Sequence, residues 1–252
     1  MALYIIGLGL SDVNDITVKG LEAIRKCSKI YLERYTSLLQ CSIEDLERFY
    51  LKKITLAYRE DSEQGMDKIV EEARDKDVAF LVVGDPFSAT THTEIYKLAR
   101  EKNISVNVIN NASILTAVGI TGLHLYKFGQ VTSIPFPENV PNLETPYNVL
   151  MKNHEQGLHT LFLLDLHPQE KKFMTISQAL RILEKIEMEK KRTYIFPEQI
   201  VIGCARLGSK DFIVKTGQLK DIKEFDFGYP PYCLIIPGKM HFSEEEMLNL
   251  WK

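Results

Sequence analysis

The sequence predicts an α/β protein of two domains, the first built on a mainly parallel sheet and the second on a mixed one. Three observations carry that expectation. Over residues 1–110, short apolar runs alternate with amphipathic stretches. A repeated βα alternation implies parallel strands joined by crossover helices. Residues 78–83, VAFLVV, are six consecutive apolar residues rich in valine, the pattern of a strand buried on both faces. Beyond residue 199 the pattern changes. Arg206-Leu207-Gly208-Ser209 lies between two β-type runs there, a tight connection that suits an antiparallel hairpin. At 252 residues the chain has enough length for two cores. The expected division is residues 1–110 and 111–252.

In order, Leu3-Tyr4-Ile5-Ile6 is a strand that runs into Gly7-Leu8-Gly9-Leu10-Ser11-Asp12. A dinucleotide fingerprint would need a small residue where Asp12 stands, so these glycines point only to close backbone approach. Asp15 or Thr17 can cap a helix with Val18, Leu21, Ala23 and Ile24 as its apolar positions. Residues 29–32 read as a second strand, 42–49 as a short helix, and 66–74 as a helix with Ile69, Val70 and Ala73 on one side. After VAFLVV, Gly84-Asp85-Pro86 stops the strand, because Pro86 lacks an N–H for a ladder. Thr91-His92-Thr93-Glu94 has capping-box spacing before a helix face of Ile95, Tyr96, Leu98 and Ala99. Ile104, Val106 and Val108 alternate as a strand, and Asn110-Asn111-Ala112-Ser113 turns into a helix over 114–119. Pro135, Pro137, Pro141 and Pro146 mark a candidate connection or mobile loop. The second half then offers strands at 160–166, 199–205, 211–216 and 233–237. Its helix at 175–189 opens on a T-x-x-Q box, and Ser243-Glu244-Glu245-Glu246 is expected to cap the last one.

Composition narrows the function classes. Hydrophobic content of 45% with 26% charged residues is globular. A net charge of −3 supplies no global basic field for nucleic acid. No run reaches the length of a membrane span, and MALYIIGLGLSD lacks the basic start of a signal peptide. Cys27, Cys41, Cys204 and Cys233 form no C-x-x-C pair. Reduced, buried thiols in a cytoplasmic protein are the expectation, with no metal site.

The stretch with chemistry is the loop after residue 83. It carries Asp85, the hydroxyls of Ser88, Thr90 and Thr91, and a helix N-terminus. In open α/β sheets small molecules bind at the carboxyl ends of strands, in loops of this kind. The same residue types also serve any βα turn for conformation alone.

Eight segments in order resemble a known family: IIGLGLSDVNDIT, YLERYTSLL, VVGDPFSATTHTE, NASILTAVGITGLHLYKFG, LLDL, MTISQAL, CARLGS and CLIIPGKMHF. Together, over nearly the whole chain, they resemble the tetrapyrrole-methylase-like S-adenosylmethionine-dependent methyltransferases, and among these the diphthine synthases of archaeal type. Leu10-Ser11-Asp12-Val13 stands where cobalamin-pathway relatives carry Pro-Gly-Asp-Pro, which argues against a tetrapyrrole acceptor.

The resemblance implies two α/β domains with a cofactor cleft between them. It implies S-adenosylmethionine as cofactor, S-adenosylhomocysteine as product, and contacts from Leu10, Asp85, Ser88, Ser113, Ile114, Leu166, Ala205 and Tyr232. Relatives carry histidine at the Tyr232 position. The implied acceptor is the amino group of a 3-amino-3-carboxypropyl-modified histidine in elongation factor 2, methylated three times in the shorter, archaeal-type enzymes. A homodimer without membrane or direct nucleic-acid partners is implied as well. No general base is named. Glu60, Asp61 and Asp85 are the candidate carboxylates, and Tyr126, Phe128, Phe136 and Tyr147 are candidate aromatic faces for a developing cation. A same-fold methyltransferase with another acceptor, RNA or a tetrapyrrole, and a non-catalytic nucleotide-binding module are the alternatives.

Overall fold

The apolar runs become strands because their side chains alternate between two helix layers. β1 (Ala2–Gly7), α1 (Val18–Lys26), β2 (Lys29–Glu33), α2 (Ile43–Tyr50), β3 (Thr55–Ala57), α3 (Ser62–Glu72), β4 (Val78–Val82), α4 (Thr93–Glu101), β5 (Ser105–Ile109) and α5 (Ile114–Ala117) follow one another through residues 1–117. The computed structural model describes residues 1–33, 37–57, 62–88 and 92–252, with backbone alone at 62–64. Strand order is β3-β2-β4-β1-β5 and every pair is parallel. On β4, Val78, Phe80 and Val82 pack with Ile69, Val70, Ile95 and Ala99 of α3 and α4. Ala79 and Leu81 pack with Ala23, Ile24, Leu46 and Tyr50 of α1 and α2. All five β4 residues are 0–1% exposed, so the run is continuous for the reason expected of a central parallel strand. β3 was not legible: Thr55-Leu56-Ala57 is half-buried and pairs only with β2.

Helix starts follow local chemistry. Thr17 Oγ1 accepts from Gly20 N–H at 3.0 Å, so Thr17 caps α1. Asp15, the other candidate, takes the N–H groups of Leu10 and Ser11 instead. Ser42 and Asp45 form a capping box on α2. α4 begins at Thr93 with His92 as its N-cap, and Thr91 of the expected box lies outside the described residues.

Residues 118–252 form the second unit. Its elements are β6 (Thr132–Ile134), α6 (Glu144–Glu155), β7 (Thr160–Leu164), β8 (Leu166–His167), β9 (Lys172–Phe173), α7 (Ile176–Lys190), β10 (Ile200–Ala205), β11 (Ile213–Gln218), α8 (Leu219–Ile222), β12 (Tyr232–Ile236) and α9 (Phe242–Leu248). The sheet order is β11-β10-β12-β7-β6, antiparallel throughout except for β6 with β7. Residues 206–212 join β10 to its antiparallel neighbour β11; the antiparallel pairing is the one expected, and the connection is longer than Arg206 to Ser209 because β11 starts at Ile213. Thr175 and Gln178 make the expected capping box on α7, whose inner face of Ile176, Ala179, Leu180, Leu183 and Ile186 is buried.

Three local expectations are corrected. The proline-rich stretch is not the connection between units, because it lies inside the second one as β6, a 3₁₀ turn and the start of α6. The strand expected over 160–166 stops at Leu164. Asp165 N–H donates to Ile134 O at 3.1 Å, and Leu166-His167 turns away to pair with Lys172-Phe173. The cap of α9 is His241, whose ring accepts from Ser243 N–H, with Glu244 completing the box. Ser243, two residues past the cap, is already inside the helix.

Candidate functional site

In the first unit the connections leaving the adjacent strands β1 and β4 run opposite ways across the sheet, toward β2 and toward β5. The helices they enter, α1 and α4, pack on opposite faces of the sheet, and connections that leave adjacent strands to opposite faces open a crevice at the carboxyl ends. The β1 and β4 loops are drawn tightly together there. Gly9 and Gly84 exchange backbone hydrogen bonds of 3.3 and 2.8 Å. Both have φ near +80°, a region where a side chain is strained. A Cβ on Gly7 would stand 2.5 Å from Gly84 O, so only glycine permits this approach.

Asp85 organises the edge. It is 7% exposed. Its Oδ1 accepts from Phe87 N–H and Ser88 Oγ–H, both at 3.0 Å. Its Oδ2 accepts from Asn110 Nδ2–H at 2.9 Å and Asn111 N–H at 3.2 Å. A carboxylate offers about four lone-pair positions, and all four are engaged. Burial pushes the Asp85 pKa up, but the donors Asn110, Phe87, Asn111 and Ser88 outweigh it and hold the group below its ordinary value. Asp85 thus ties the β4 loop to the β5 loop. Asn111 adds the β1 loop, its Nδ2 donating to Gly7 O and Asp15 O, each at 3.0 Å.

Around this clamp the five expected residues of the first unit gather. Half-buried Leu10 and the Ala112 carbonyl flank the place where a Gly84 Cβ would stand, at 3.9 and 3.7 Å. Ser88 is held on Asp85. Ser113, buried, takes Leu115 N–H on its Oγ at 3.2 Å and starts α5 at Ile114. The loop hydroxyls Thr90 and Thr91 and the carboxylates Glu60 and Asp61 lie outside the described residues.

The other three expected residues share one edge of the second sheet. Ala205 ends β10 and is opposite Tyr232, which begins β12. β12 runs antiparallel to β7, so the start of β12 lies beside the end of β7, where Leu166 follows. Arg206 fixes this edge. Its Nε donates to Asp211 Oδ2 and its Nη2 to Asp211 O, both at 3.0 Å, while Nη1 donates to the carbonyls of Phe227 and Tyr229. The guanidinium stacks 4.2 Å from the Tyr229 ring. Hydrogen bonds from Tyr229 and Ser209 lower the Asp211 pKa to about 2. The Tyr232 hydroxyl donates to Gly228 O. Asp165 does for β7 what Asp85 does for β4, accepting from Phe136 N–H and Leu166 N–H at 3.0 Å.

Asn110, Asn111, Asp165, Arg206 and Asp211 were not singled out from the sequence. Asn110-Asn111 read only as a turn, Arg206 only as part of a hairpin connection, and Asp165 sat unremarked inside LLDL. Of the four candidate aromatics, Tyr147 is fully buried with its hydroxyl on Glu187. Phe136 is buried with Lys172 Nζ 4.3 Å over its ring. Phe128 packs edge-on against His159, and Tyr126 is 82% exposed. All four cysteines are free thiols. Cys204 and Cys233, distant in sequence, face each other across β10 and β12. Among the described residues no group of His, Cys, Asp or Glu could hold a metal, and no helix is long and apolar enough to cross a membrane.

The sequence profile of the Tetrapyrrole (Corrin/Porphyrin) Methylases matches residues 2–223. The chain is 47% identical to the diphthine synthase of Methanocaldococcus jannaschii over 98% of its own length and 97% of that protein. It is 44% identical to the diphthine methyl ester synthase of Dictyostelium discoideum, over 100% of this chain and 98% of that one. A crystal structure of a diphthine synthase superimposes with a TM-score of 0.91 at 39% identity, covering 100% of this chain and 96% of the other. With its two α/β units and the glycine-lined loops at the carboxyl edge of its parallel sheet, the chain belongs to the tetrapyrrole methylase family and groups there with the diphthine synthases.

Proposed function

We propose that this chain is the S-adenosylmethionine-dependent methyltransferase of diphthamide biosynthesis, trimethylating the amino group of the 3-amino-3-carboxypropyl-modified histidine of elongation factor 2. The observation that carries the reading is 47% identity to a diphthine synthase across 98% of the chain. The cofactor contacts are Leu10, Asp85, Ser88, Ser113 and Ile114 in the first unit and Leu166, Ala205 and Tyr232 in the second. The residues fit such a ligand. A Cβ on Gly84 would sit at ordinary van der Waals distance from Ala112 O and Leu10 Cδ2, 3.7 and 3.9 Å, so the glycine serves this turn by its positive φ rather than by relieving a clash. Leu10, Leu166 and Ala205 offer apolar contact to an adenosyl body.

Bound S-adenosylmethionine supplies a methyl group on a good leaving group. The chain's task is then orientation, which can contribute up to ~7–11 kcal/mol. Asp85, with both oxygens spent on protein donors, serves that task by holding the β1, β4 and β5 loops in one arrangement. An amine acceptor with a reference pKa near about 8 has a usable neutral fraction at physiological pH. Its first two methylations leave nitrogens that can lose a proton and react again. The third leaves a quaternary nitrogen without a lone pair, and transfer to nitrogen stops.

The relative named for the methyl ester raises a second outcome, a fourth methyl on the neighbouring carboxylate. Incubating the chain with modified elongation factor 2 and labelled cofactor, followed by mass spectrometry of the histidine-derived residue, decides. Three methyls stable to mild alkali are expected. A fourth that alkali removes would show the ester, and no transfer would overturn the acceptor. Equilibrium dialysis with labelled cofactor separates a non-catalytic module, and a steep salt dependence of acceptor binding would favour RNA.

A further inference from the structure

Tyr229 is 54% exposed, yet its backbone, its hydroxyl and one face of its ring are all engaged. Its carbonyl accepts from Arg206 Nη1, and its hydroxyl donates to Asp211 Oδ2. Asp211 Oδ2 accepts from Arg206 Nε as well, at 3.0 Å. The Arg206 guanidinium lies 4.2 Å from the centre of the Tyr229 ring. Arg206, Asp211 and Tyr229 thus close a triangle that fixes the ring and not only the backbone. The chain on either side is pinned too, with Pro231 O accepting from Arg206 N–H at 2.9 Å and Asp226 Oδ1 from Gly228 N–H at 2.8 Å. The guanidinium covers one face of the ring, and no ring or cation of the described residues covers the other. A surface side chain fixed in advance loses little freedom when something binds to it.

This braced ring belongs to the edge of the second sheet that carries Ala205 and Tyr232. Arg206 directly follows Ala205, and Ala205 is opposite Tyr232 in the ladder. We infer that the open face of Tyr229 is a stacking platform for the adenine of S-adenosylmethionine, so that Tyr229 is a further residue of the cofactor site. The inference rests on the cofactor reading proposed above. What binds on the open face follows from what lies behind the ring. A guanidinium there already uses the attraction of the ring for positive charge. A sulfonium or an ammonium on the opposite face would meet that charge through the ring. A neutral, planar heterocycle meets no such repulsion and gains by offset stacking. Adenine is the neutral, planar part of the molecule that Ala205 and Tyr232 are proposed to contact.

Two variants separate the ring face from the hydroxyl. Tyr229→Leu keeps apolar bulk and removes the π face, whereas Tyr229→Phe keeps the face and loses only the bond to Asp211. In equilibrium dialysis, Tyr229→Leu should bind S-adenosylmethionine at least about fivefold more weakly, the smaller end of the loss for one base–aromatic stack. Tyr229→Phe should stay within about twofold of the parent. Adenosine, which carries the base without the methionine chain, should weaken by the same factor in Tyr229→Leu. Stacking also lowers absorbance in the adenine band. A difference spectrum of bound adenosine should show that loss with the parent and with Tyr229→Phe, and not with Tyr229→Leu. A role confined to shielding Arg206 and Asp211 from water would leave no such trace.

Parental affinity of Tyr229→Leu for both ligands overturns the platform. A loss for S-adenosylmethionine with none for adenosine overturns it as well, because the effect then belongs to the methionine end. The same holds for a loss shared equally by Tyr229→Phe, which would trace it to the Asp211 bond. A raised KM for the protein acceptor with parental cofactor affinity would put the acceptor on the ring instead of adenine. The difference spectrum of the parent does not depend on any variant folding, and adenosine bound without lowered absorbance refutes the stack by itself. If the parent binds neither S-adenosylmethionine nor adenosine, the cofactor reading fails and takes the platform with it. Binding by the parent with any of the other negative results overturns the platform alone.

Discussion

Asp85 shows what a single residue decides here. It is legible as a loop acid after the central strand, yet its partners Asn110 and Asn111 stand 25 and 26 residues away, and nothing local announces them. Leaving buried donors unsatisfied costs about 1–3 kcal/mol each. Asp85→Ala should therefore lower stability by a few kcal/mol and weaken S-adenosylmethionine binding at least about tenfold, read by thermal melting and equilibrium dialysis. Asp85→Asn should be nearly as harmful, because its amide would turn N–H groups toward protein donors. A folded variant of either kind with parental affinity would show that the clamp does not shape the cofactor site. Tyr232 is the converse case. Its backbone is fixed opposite Ala205 in the ladder, and its hydroxyl is already used on Gly228 O. Tyr232→His and Tyr232→Phe should bind the cofactor within about 0.5 kcal/mol of the parent. A tenfold loss in Tyr232→His would put the ring against the ligand.

At the scale of elements, α9 is docked by one acid. Glu244, fully buried, accepts from His124 N–H at 2.8 Å, His241 N–H at 2.7 Å, His159 Nε2–H at 2.9 Å and Lys127 Nζ. Burial pushes the Glu244 pKa up, and these donors bring it down to about 2. His159 Nδ1 accepts from Gly238 N–H at 3.0 Å, which assigns the ring proton to Nε2. Burial lowers the His159 pKa despite Glu244 beside it, since protonating Nδ1 would set two donors against each other. Both groups hold fewer protons folded than unfolded, so stability must rise with pH. The His159 contribution is present above its unfolded pKa of about 6.5 and declines as pH falls below it. The Glu244 contribution is present above about 4.5 and is lost as pH falls toward about 2. Urea melts at a series of pH values should show this acid-side loss. Glu244→Gln should cost about 3–5 kcal/mol near neutrality and flatten the lower limb. An unchanged profile would mean that α9 docks by apolar packing alone. The cap on α7 was readable because Thr175 and Gln178 are three residues apart. The cap on α9 was not, because histidine is rarely a cap and its role depends on where Glu244 is held.

For the whole molecule, the expectation of a homodimer derives from the family resemblance, and a symmetric pair is the commonest oligomer. Large apolar side chains stand exposed on the second unit at Leu125, Tyr126, Phe242 and Leu250, 42–82% exposed, surface that a second copy could cover. Light scattering at about micromolar concentration should return twice the 28.9 kDa chain mass. A monomer mass would refute the pairing.

What the sequence determined by itself was the kind of element at most positions, the change from parallel to antiparallel pairing, and the family. Such features live in periods of two to four residues or in ordered short motifs, so they need no fold to be read. The tertiary structure alone decided the order β3-β2-β4-β1-β5. It also decided that Asp85 faces inward to its own loops and that Arg206 braces the Tyr232 edge. These outcomes join residues dozens of positions apart. Which of them meet depends on where crossover helices carry each strand, and that is settled by packing of the two helix layers rather than by any local pattern.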